Sequence, residues 1–447
     1  MNPELLRNIW LELTVRRLIA MPLVLAALLL LWSSDSFVAD LAGGFFFIIT
    51  ILWGTRQAAD AVASEVTEST WDWQRLSTLS AWQLTWGKVI GATLFTWYGA
   101  LICLGVRFGA MLKDHDPVTL VHGTLYLIGA ALMAQTVSFL LGLQSVRLRG
   151  HRTRVGTLVS QIIGIIVGYT ALKYAGMVPG ADVSWISSGS SNALIEWWGI
   201  PVSASVMASV GIASFLAWTL VGAHRLMMRE LAYRTRPWAW PAFVLFTCAF
   251  MAGFPPSVEQ ASGSFVSLAL AERLAVAAVT SAGLTYAALF WDDKDPVMFR
   301  RLIRLYEAQR WREFASYTPT WLVSLVITAV LAVLLLVVGG GGKVGGVTLW
   351  AAIVGGLLFM ARDIAMNLYF WLSPNPVRAN LITLIMLGLL YAVLPGLTGF
   401  DGDVAFVFYP FAPAAPVFTL SAALMQFGVM VLLLVLRWRK RFVLAAA

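Results

Sequence analysis

Residues that commonly carry catalysis or bind metals are few and scattered in this chain. It has 4 His and 2 Cys among 447 residues, and both Cys103 and Cys248 lie in apolar segments. Their spacing gives neither a disulfide framework nor a set of metal ligands. The sequence also lacks the cluster of carboxylates or histidines that an integral-membrane transferase would need near one membrane interface. We therefore predict no catalytic residue, no metal site and no cofactor bound by this chain.

Charged residues do occur inside the apolar segments, as adjacent residues of opposite sign. These are Glu272 with Arg273, and Arg362 with Asp363. An ionised side chain is costly in lipid, so each of them should face protein or water. Because the signs balance, we expect structural ion pairs between helices and regard a substrate or proton site as the second interpretation.

The segment from Glu65 to Lys88 has the pattern of an amphipathic helix between two membrane spans. Ser69 and Asp72 can form a capping pair that begins a helix there. The apolar face that follows consists of Leu76, Leu79, Trp82 and Trp86. The sequence predicts a cytoplasmic helix over 69–86, which is either a simple amphipathic connector or a lever for a cytoplasmic partner.

The N-terminal residues 1–17 form a second amphipathic pattern. Asn2 and Pro3 are suited to begin a helix. Its apolar residues are Leu6, Ile9, Trp10 and Leu13, and the polar residues opposite them are Glu4, Arg7 and Asn8. We expect an elbow helix that lies in the membrane interface, with a cytoplasmic extension of the first span as the alternative.

A third amphipathic helix is predicted over 295–316, with Asp295 as its cap and Pro296 at its first position. Its basic face contains Arg300, Arg301 and Arg304. Contact with anionic lipid and docking of a protein partner fit this face equally well.

Composition places these segments between membrane spans. The chain is 59% hydrophobic and 12% charged, whereas about a quarter of the residues of a soluble domain are charged. Apolar runs that could cross a bilayer recur along the sequence, and we predict an all-α integral membrane protein with about twelve transmembrane helices. They are placed at 18–36, 41–60, 87–108, 118–142, 155–177, 200–222, 238–254, 264–291, 319–340, 346–371, 379–399 and 412–436.

The distribution of Lys and Arg predicts the orientation. Of the Lys and Arg residues assigned to one side of the membrane, only Arg107, Lys113, Lys173 and Lys343 fall on the side opposite the N-terminus. Since positive residues favour cytoplasmic loops, both termini should be cytoplasmic. The basic clusters build no nucleic-acid-binding module, so we expect no nucleic-acid partner.

Long inner loops at 61–86 and 292–318 give the chain two similar halves of about six helices each, which suggests an internal repeat. The predicted organisation is an elbow helix at 1–17, a first transmembrane half at 18–222, a cytoplasmic connector at 223–237, a second transmembrane half at 238–436 and a basic cytoplasmic tail at 437–447.

The Glu65 to Lys88 segment resembles the signature of permeases of type 2 ABC exporters, the ABC-2 superfamily. The resemblance rests on acidic residues, a small residue followed by Thr, a Leu-Ser-x-Leu-Ser pattern and a closing Gly-Lys. Here these are Glu65, Glu68, Ser69, Thr70, Leu76, Ser77, Leu79, Ser80, Gly87 and Lys88. Thr78 stands where the family usually has Pro. With the elbow helix before it and the spans after it, the resemblance covers residues 1–222.

This resemblance implies that the chain is the permease of an exporter and that a separate ATPase subunit, in two copies, docks on the segment. ATP and Mg²⁺ would be bound by that subunit, because Lys343 and Val344 after the glycine run do not match the Lys-Ser or Lys-Thr of a phosphate-binding loop. The implied coupling residues are Glu65, Glu68, Thr70, Trp71, Asp72, Arg75, Leu76, Ser77, Leu79 and Ser80.

Other interpretations stay open. A secondary transporter would share the helix number and the inward termini, but its tight loop between the second and third spans is replaced here by a long amphipathic segment. A membrane-embedded transferase is the less favoured alternative. One chain would form the whole permease if the halves are repeats, and a homodimer would form it otherwise. The Ala, Leu, Trp and Arg usage is typical of a bacterial protein, which would place the chain in the cytoplasmic membrane.

Overall fold

The computed structural model describes most of the chain. The described residues are 2–29, 35–113, 116–149, 154–177, 194–233, 235, 237–254, 265–292, 294, 296–339, 343–344, 347–373, 378–397, 402–410 and 415–442. Most of them are helical, and the chain divides into two compact units, Met1–Ala239 and Trp240–Ala447.

The first unit consists of helices and one short hairpin. The helices are α1 Pro3–Glu12, α2 Val15–Leu29, α3 Asp35–Phe47, α4 Gly54–Thr67, α5 Trp71–Arg75, α6 Ala81–Ala92, α7 Leu94–Met111, α8 Pro117–Arg149, α9 Arg154–Met177 and α10 Ala204–Glu230. A π-helical turn, Ile48–Trp53, joins α3 to α4. The antiparallel strands β1 Leu194–Trp197 and β2 Ile200–Ser203 precede α10.

The second unit is also helical. Its helices are α11 Ala239–Ala252, α12 Phe265–Trp291, α13 Pro296–Glu307, α14 Trp311–Tyr317, α15 Thr320–Gly339, α16 Leu349–Trp371, α17 Ala379–Gly388, α18 Leu394–Leu397, α19 Gly402–Ala405 and α20 Pro416–Phe442. A second π-helical turn, Leu389–Val393, joins α17 to α18. The strands β3 Lys343–Val344 and β4 Val347–Thr348 form a short antiparallel pair before α16.

Nine helical segments of the described chain are long and apolar enough to cross a membrane. They are Phe37–Thr67, Leu94–Met111, Pro117–Val146, Ala204–Glu230, Leu270–Trp291, Thr320–Gly339, Leu349–Trp371, Ala379–Leu397 and Pro416–Arg441. The chain is therefore a multi-pass helical membrane protein, as the sequence predicts.

The sequence predicts about twelve spans, which is more than the nine segments found in the described chain. Helix α2, at the first predicted span, has 15 residues and contains Pro22. The apolar segments Gly156–Leu172 and Ala239–Ala252 are shorter than the others. The predicted span 87–108 is shared by α6 and α7, which meet at Thr93. The number of crossings and their orientation stay predictions.

A small residue allows α4 and α8 to approach closely. A Cβ atom on Gly142 would lie 2.4 Å from the carbonyl oxygen of Ala59, so this crossing requires glycine. Close backbone approach through small residues is a common way of packing helices in membranes. Phe139, Leu143 and Met227 are buried in the same core. The core thereby fixes the C-terminal part of α4 against α8 and α10.

The π-helical turn Ile48–Trp53 is held by side chains of other helices. Gln135 Nε2 on α8 donates to Thr50 O at 3.1 Å, and Gln161 Nε2 on α9 donates to Leu52 O at 3.1 Å. Trp97 Nε1 on α7 donates to Gln135 Oε1 at 2.9 Å, which orients that amide. Carbonyl groups at an irregular turn of a membrane helix need such donors, because lipid supplies none.

Hydroxyl groups lie in the contact between α12 and α15 of the second unit. Thr328 Oγ1 donates to Ser281 Oγ at 2.8 Å and lies 3.4 Å from Thr285 Oγ1. Trp240 Nε1 on α11 donates to Ser324 Oγ at 2.7 Å. Hydrogen bonds of this kind between membrane helices add to the packing of small side chains.

The prediction of one continuous helix over 69–86 is wrong. Helix α5 ends at Arg75, and a separate helix, α6, begins at Ala81. Ser69 has a φ of 58°. Thr70 N donates to Glu65 O at 2.9 Å, and Ser69 N donates to Val66 O at 3.2 Å. These bonds form a Schellman motif, which ends a helix. Ser69 therefore closes α4 instead of capping a new helix.

The capping residue of this segment is Ser80. Its Oγ accepts from Gln83 N at 3.2 Å, and Gln83 Oε1 accepts from Ser80 N at 2.9 Å. This reciprocal pair is a capping box, and it begins α6.

The helix predicted over 295–316 is likewise divided, into α13 and α14. Gln309 has a φ of 54°, Arg310 N donates to Leu305 O at 3.0 Å, and Gln309 N donates to Tyr306 O at 3.0 Å. The same Schellman geometry therefore ends α13. The predicted cap Asp295 lies outside the described residues.

Candidate docking site between α4 and α6

A buried ion cluster lies where α1, α4 and α6 meet. It consists of Glu4, Arg7, Glu65 and Lys88. Lys88 Nζ lies 3.2 Å from Glu4 Oε1 and also binds Glu65 Oε2. Arg7 Nη2 lies 3.0 Å from Glu4 Oε1 and also binds Glu65 Oε1. The charges of the cluster balance, which offsets the desolvation of its members.

The cluster is shielded from solvent to different degrees. The exposed fractions of the side chains are 2% for Lys88, 4% for Glu4 and 10% for Glu65, whereas that of Arg7 is 42%. Burial lowers the pKa of the Arg7 guanidinium, but the hydrogen bond to Glu65 and the charges of Glu4, Glu65 and Glu68 more than offset it and leave that pKa raised. Arg7 therefore stays a cation at physiological pH.

The inner face of α5 rests on this cluster. Gln74 Nε2 donates to Glu65 Oε1 at 2.8 Å. The Trp71 ring lies with its centroid 5.1 Å from Lys88 Nζ, a cation–π distance. Trp71 is also buried in the core with Leu84 and Phe139. These contacts fix α5 although it has only 5 residues.

Helix α1 docks on α6 through its polar face. Asn2 Nδ2 donates to Gln83 O at 2.6 Å, and Asn8 Nδ2 donates to Gly87 O at 3.3 Å. A Cβ atom on Gly87 would lie 2.7 Å from Glu4 Cβ. The two helices could not approach this closely with a larger residue at position 87.

Two apolar residues of α1 lie on its outer side, whereas Leu6, Ile9 and Leu13 are half-buried. Trp10 is 82% exposed and Leu11 is 61% exposed. Exposed apolar residues at this position fit the interface expected for the elbow helix. The predicted start of the helix is confirmed, since Asn2 Oδ1 accepts from Glu4 N at 3.0 Å and Pro3 is its first residue.

The outer face of α5 forms what we call the α5 protrusion, made of Asp72, Trp73, Arg75 and Leu76. Trp73 is 79% exposed and Leu76 is 82% exposed. Asp72 Oδ1 lies 3.7 Å from Arg75 Nη1, and both side chains are exposed. A surface cleft of about 370 Å³ lies beside the protrusion, lined by Asp72, Arg75, Leu76, Leu231 and Ala232. Apolar side chains next to a cleft and a charged pair are suited to bind a protein surface.

The predicted coupling residues divide into two groups. Glu65 and Trp71 are buried, Leu79 is half-buried, and the others are exposed. The exposed residues are Glu68, Thr70, Asp72, Arg75, Leu76, Ser77 and Ser80. The buried group supports the connection, and the side chains of the exposed group lie on its surface.

Hydroxyl side chains shape the turn between α5 and α6. Ser77 Oγ donates to Gln74 O at 2.7 Å, and Leu79 N donates to Ser77 Oγ at 3.4 Å. Thr70 Oγ1 donates to Glu65 O at 3.3 Å. The hydroxyl groups of Thr70 and Ser77 are therefore used within the connection itself.

The sequence analysis missed Trp73 as a surface residue, and it missed Arg7 and Lys88 as the shared partners of Glu4 and Glu65. The Gly-Lys that closes the signature was a usable signal for Lys88, since a lysine beginning an apolar span needs a carboxylate partner. The position of Trp73 follows from the short length of α5, which the sequence pattern did not predict.

The intramembrane charges pair differently from the expectation. Arg362 Nη2 lies 2.7 Å from Asp363 Oδ1, so these neighbours on α16 bind each other. Tyr286 Oη and Tyr391 Oη donate to Asp363 Oδ2 at 2.7 and 2.8 Å. Arg362 also donates to Gln426 Oε1 on α20. Both charges are buried and their hydrogen-bonding groups are engaged, which fits a structural role.

The other intramembrane pair does not join this cluster. Arg273 Nη1 donates to Ala252 O at 3.0 Å and to Gly253 O at 3.1 Å, at the end of α11. The arginine is therefore positioned to stabilise the carboxyl end of that helix. Among the described residues, Glu272 makes no ion pair with Arg362. The ion pairs expected between helices are therefore not formed by these four described residues.

The basic residues of the second inner loop lie on the surface of α13. Arg300, Arg301 and Arg304 are all exposed. Within the part of the chain that the structure describes, no group of His, Cys, Asp and Glu is arranged to hold a metal ion.

No protein-family model, no curated protein and no solved structure matches this chain.

Proposed function

We propose that this chain is the membrane subunit of an ATP-driven exporter, and that the α5 protrusion docks on a separate ATPase subunit. The observation that supports this most strongly is the exposed pair Trp73 and Leu76 on a base fixed by buried charges. Covering each of these side chains would contribute about 1.5–3 kcal/mol. Trp73 and Leu76, which lie beside a cleft and outside the spans, are a candidate surface for a protein partner.

The proposed mechanism is mechanical. Closure of the ATPase subunits around ATP would push the α5 protrusion. Since Gln74 and Trp71 contact the ion cluster, the push would pass to α1, α4 and α6 together. Chains of packed and hydrogen-bonded groups carry such coupling. The helical bundles would then open the substrate path to one side or the other.

The cellular arrangement belongs to this proposal. The α5 protrusion would face the cytoplasm, both termini would be cytoplasmic, and about twelve spans would cross the bacterial cytoplasmic membrane. ATP and Mg²⁺ would be bound by the ATPase subunit. The apolar spans suit lipids, hydrophobic peptides or drugs as substrates, although type 2 exporters also move polysaccharides.

The first experiment is affinity purification of the full-length tagged chain from its native membrane. We expect an ABC-type ATPase subunit to co-purify and its ATPase activity to depend on the permease. Substituting Leu76→Asp should weaken docking by about 30-fold or more, because a central apolar residue of an interface contributes about 2 kcal/mol. The stimulated ATPase activity should fall accordingly.

Leu194→Asp is the matched control, because Leu194 is a comparably exposed leucine, at 69%, on β1. It should leave co-purification and ATPase activity unchanged. A chain that purifies alone and moves solute along an ion gradient would contradict the exporter proposal and support a secondary transporter instead. Equal effects of the two leucine substitutions would remove the docking role of the α5 protrusion.

A further inference from the structure

The base of the α13–α14 hairpin is tied to the ends of two spans. Asp292 Oδ2 accepts from Thr320 Oγ1 at 2.7 Å and from Trp321 N at 3.4 Å. Asp292 follows α12, and Thr320 begins α15. Lys294 is buried and donates to Leu289 O near the end of α12. The hairpin therefore leaves and rejoins the spans at one membrane face.

One side of α13 is covered by protein. Leu302 and Leu305 are 6% and 7% exposed, and Phe299 packs against the buried cluster that contains Leu289 and Trp321. This packing sets which residues of α13 point outward.

The outward side combines arginines with apolar residues. Arg300, Arg301 and Arg304 are exposed, and so are Ile303 and Tyr306. The Arg301 guanidinium stacks on the Tyr317 ring at 3.8 Å from its centroid. A surface with this composition, held at the level of the membrane face, complements the phosphates and the upper acyl region of a lipid leaflet.

Aromatic side chains extend this surface onto α14. The Tyr306 and Trp311 rings lie 5.6 Å apart at 88°, and Phe314 lies 6.1 Å from Tyr306. Trp311 is 55% exposed. Arg310 binds Glu313, so one of the few carboxylates of the hairpin is neutralised locally. Tyrosine and tryptophan favour the headgroup region of a bilayer.

From this geometry we propose that the α13–α14 hairpin binds the anionic phospholipid headgroups of the leaflet beside it. The arginines supply the charge complementarity, and Ile303, Tyr306 and Trp311 supply apolar contact with the same leaflet. The arginines lie beside exposed Ile303, Tyr306 and Trp311 at the ends of two spans, and this combination favours a lipid leaflet over a soluble protein. The inference requires the membrane spans and is independent of the exporter role.

The test uses the full-length chain with Ile303→Cys, labelled with bimane and reconstituted in phosphatidylcholine vesicles that contain a minor fraction of phosphatidylglycerol. Brominated acyl chains are placed on one lipid at a time, and quenching reports which lipid lies near position 303. We expect quenching by brominated phosphatidylglycerol to exceed its share of the bilayer. The excess should decrease at high salt, because salt screens exposed charges.

The triple variant Arg300→Gln/Arg301→Gln/Arg304→Gln should lose this preference. Each basic residue near an anionic surface contributes about a fivefold preference, so three of them contribute about 100-fold. The triple lysine variant keeps the charge and should keep most of the preference. Arg56→Gln, at an exposed residue of α4 that is 55% exposed, is the control outside the hairpin. An unchanged melting profile shows that the variants are folded.

Three outcomes would overturn the proposal. Quenching in proportion to lipid abundance would show a hairpin that touches lipid without selecting its charge. Quenching by neither lipid would place position 303 away from the bilayer. Protection of the label by a co-purified ATPase subunit would make the hairpin a protein-docking surface.

Discussion

Replacing Lys88 by Met should destabilise the first unit strongly. Lys88 is 2% exposed and is bound to the carboxylates of both Glu4 and Glu65, which are themselves buried. Methionine fills a similar volume but leaves the two carboxylates with Arg7 as the remaining cation of the cluster. Removing one member of a buried ion pair costs about 3–5 kcal/mol.

This cost sets the size of the expected thermal shift. A cooperative unit of about 150–250 residues loses about 2–4 °C of melting temperature per kcal/mol, and the first unit extends from Met1 to Ala239. Lys88→Met should therefore lower the apparent melting temperature by about 6–20 °C. The measurement is intrinsic tryptophan fluorescence of the purified chain in lipid nanodiscs, at one heating rate, because unfolding of large proteins is often irreversible.

The double variant Lys88→Met/Glu65→Gln separates charge from packing. It leaves one carboxylate and one guanidinium, Glu4 and Arg7, whose atoms are 3.0 Å apart. We expect its destabilisation to be smaller than the sum of the two single destabilisations, by about 1–3 kcal/mol of coupling. Arg56→Met is the control, since its pair with Asp60 is exposed and such pairs contribute about 0–1 kcal/mol.

Two outcomes would contradict this expectation: additive destabilisations of the single variants, or equal shifts of the melting temperature in Lys88→Met and Arg56→Met. In either case the buried charges would not hold the connection together. The ion cluster would then be no basis for transmitting force from the α5 protrusion.

Further substitutions test other contacts. Gly87→Ala should lower the free energy of unfolding by about 1–3 kcal/mol by overpacking, and it should make the N-terminal helix more sensitive to protease. Gly44→Ala is the control, because a Cβ atom there would meet nothing within 4 Å. It should change neither property. Asp363→Asn should lower the melting temperature by more than Tyr286→Phe does. The Asp363 variant leaves the buried Arg362 guanidinium without its counter-ion, whereas the Tyr286 variant removes one hydrogen bond worth about 1 kcal/mol. A reporter enzyme fused after Arg154 should be active in the cytoplasm, and activity on the outer side would refute the orientation.

The sequence predicts the helices well where their signals are local. Asn2 and Pro3 begin α1 as expected, and the apolar runs become helices in both units. The sequence did not predict which face of α1 contacts protein. An amphipathic pattern distinguishes an apolar face from a polar face, but it does not show what either face contacts. The partner is α6, whose glycine at position 87 lets the polar face approach.

The failures have tertiary causes. Ser69 and Asp72 match a capping pattern. The backbone N–H groups of Ser69 and Thr70 instead donate to carbonyl groups at the end of α4 and close that helix. Adjacent residues of a helix point in different directions, so Arg362 and Asp363 were expected to pair across helices. The long arginine side chain reaches its neighbour instead, and tyrosines from other segments complete the cluster.

The π-helical turn Ile48–Trp53 determines in which direction around the helix axis the side chains of α4 point. A π turn accommodates one more residue than an α turn, and one residue of α-helix corresponds to about 100° of rotation. A chain shortened by one residue here would swing the far end of α4 through about a quarter of a circle. Glu65 would then face away from Lys88. The amides of Gln135, which is buried, and of Gln161, which is half-buried, thus help to fix the angular position of the carboxylate that holds the connection at the membrane face.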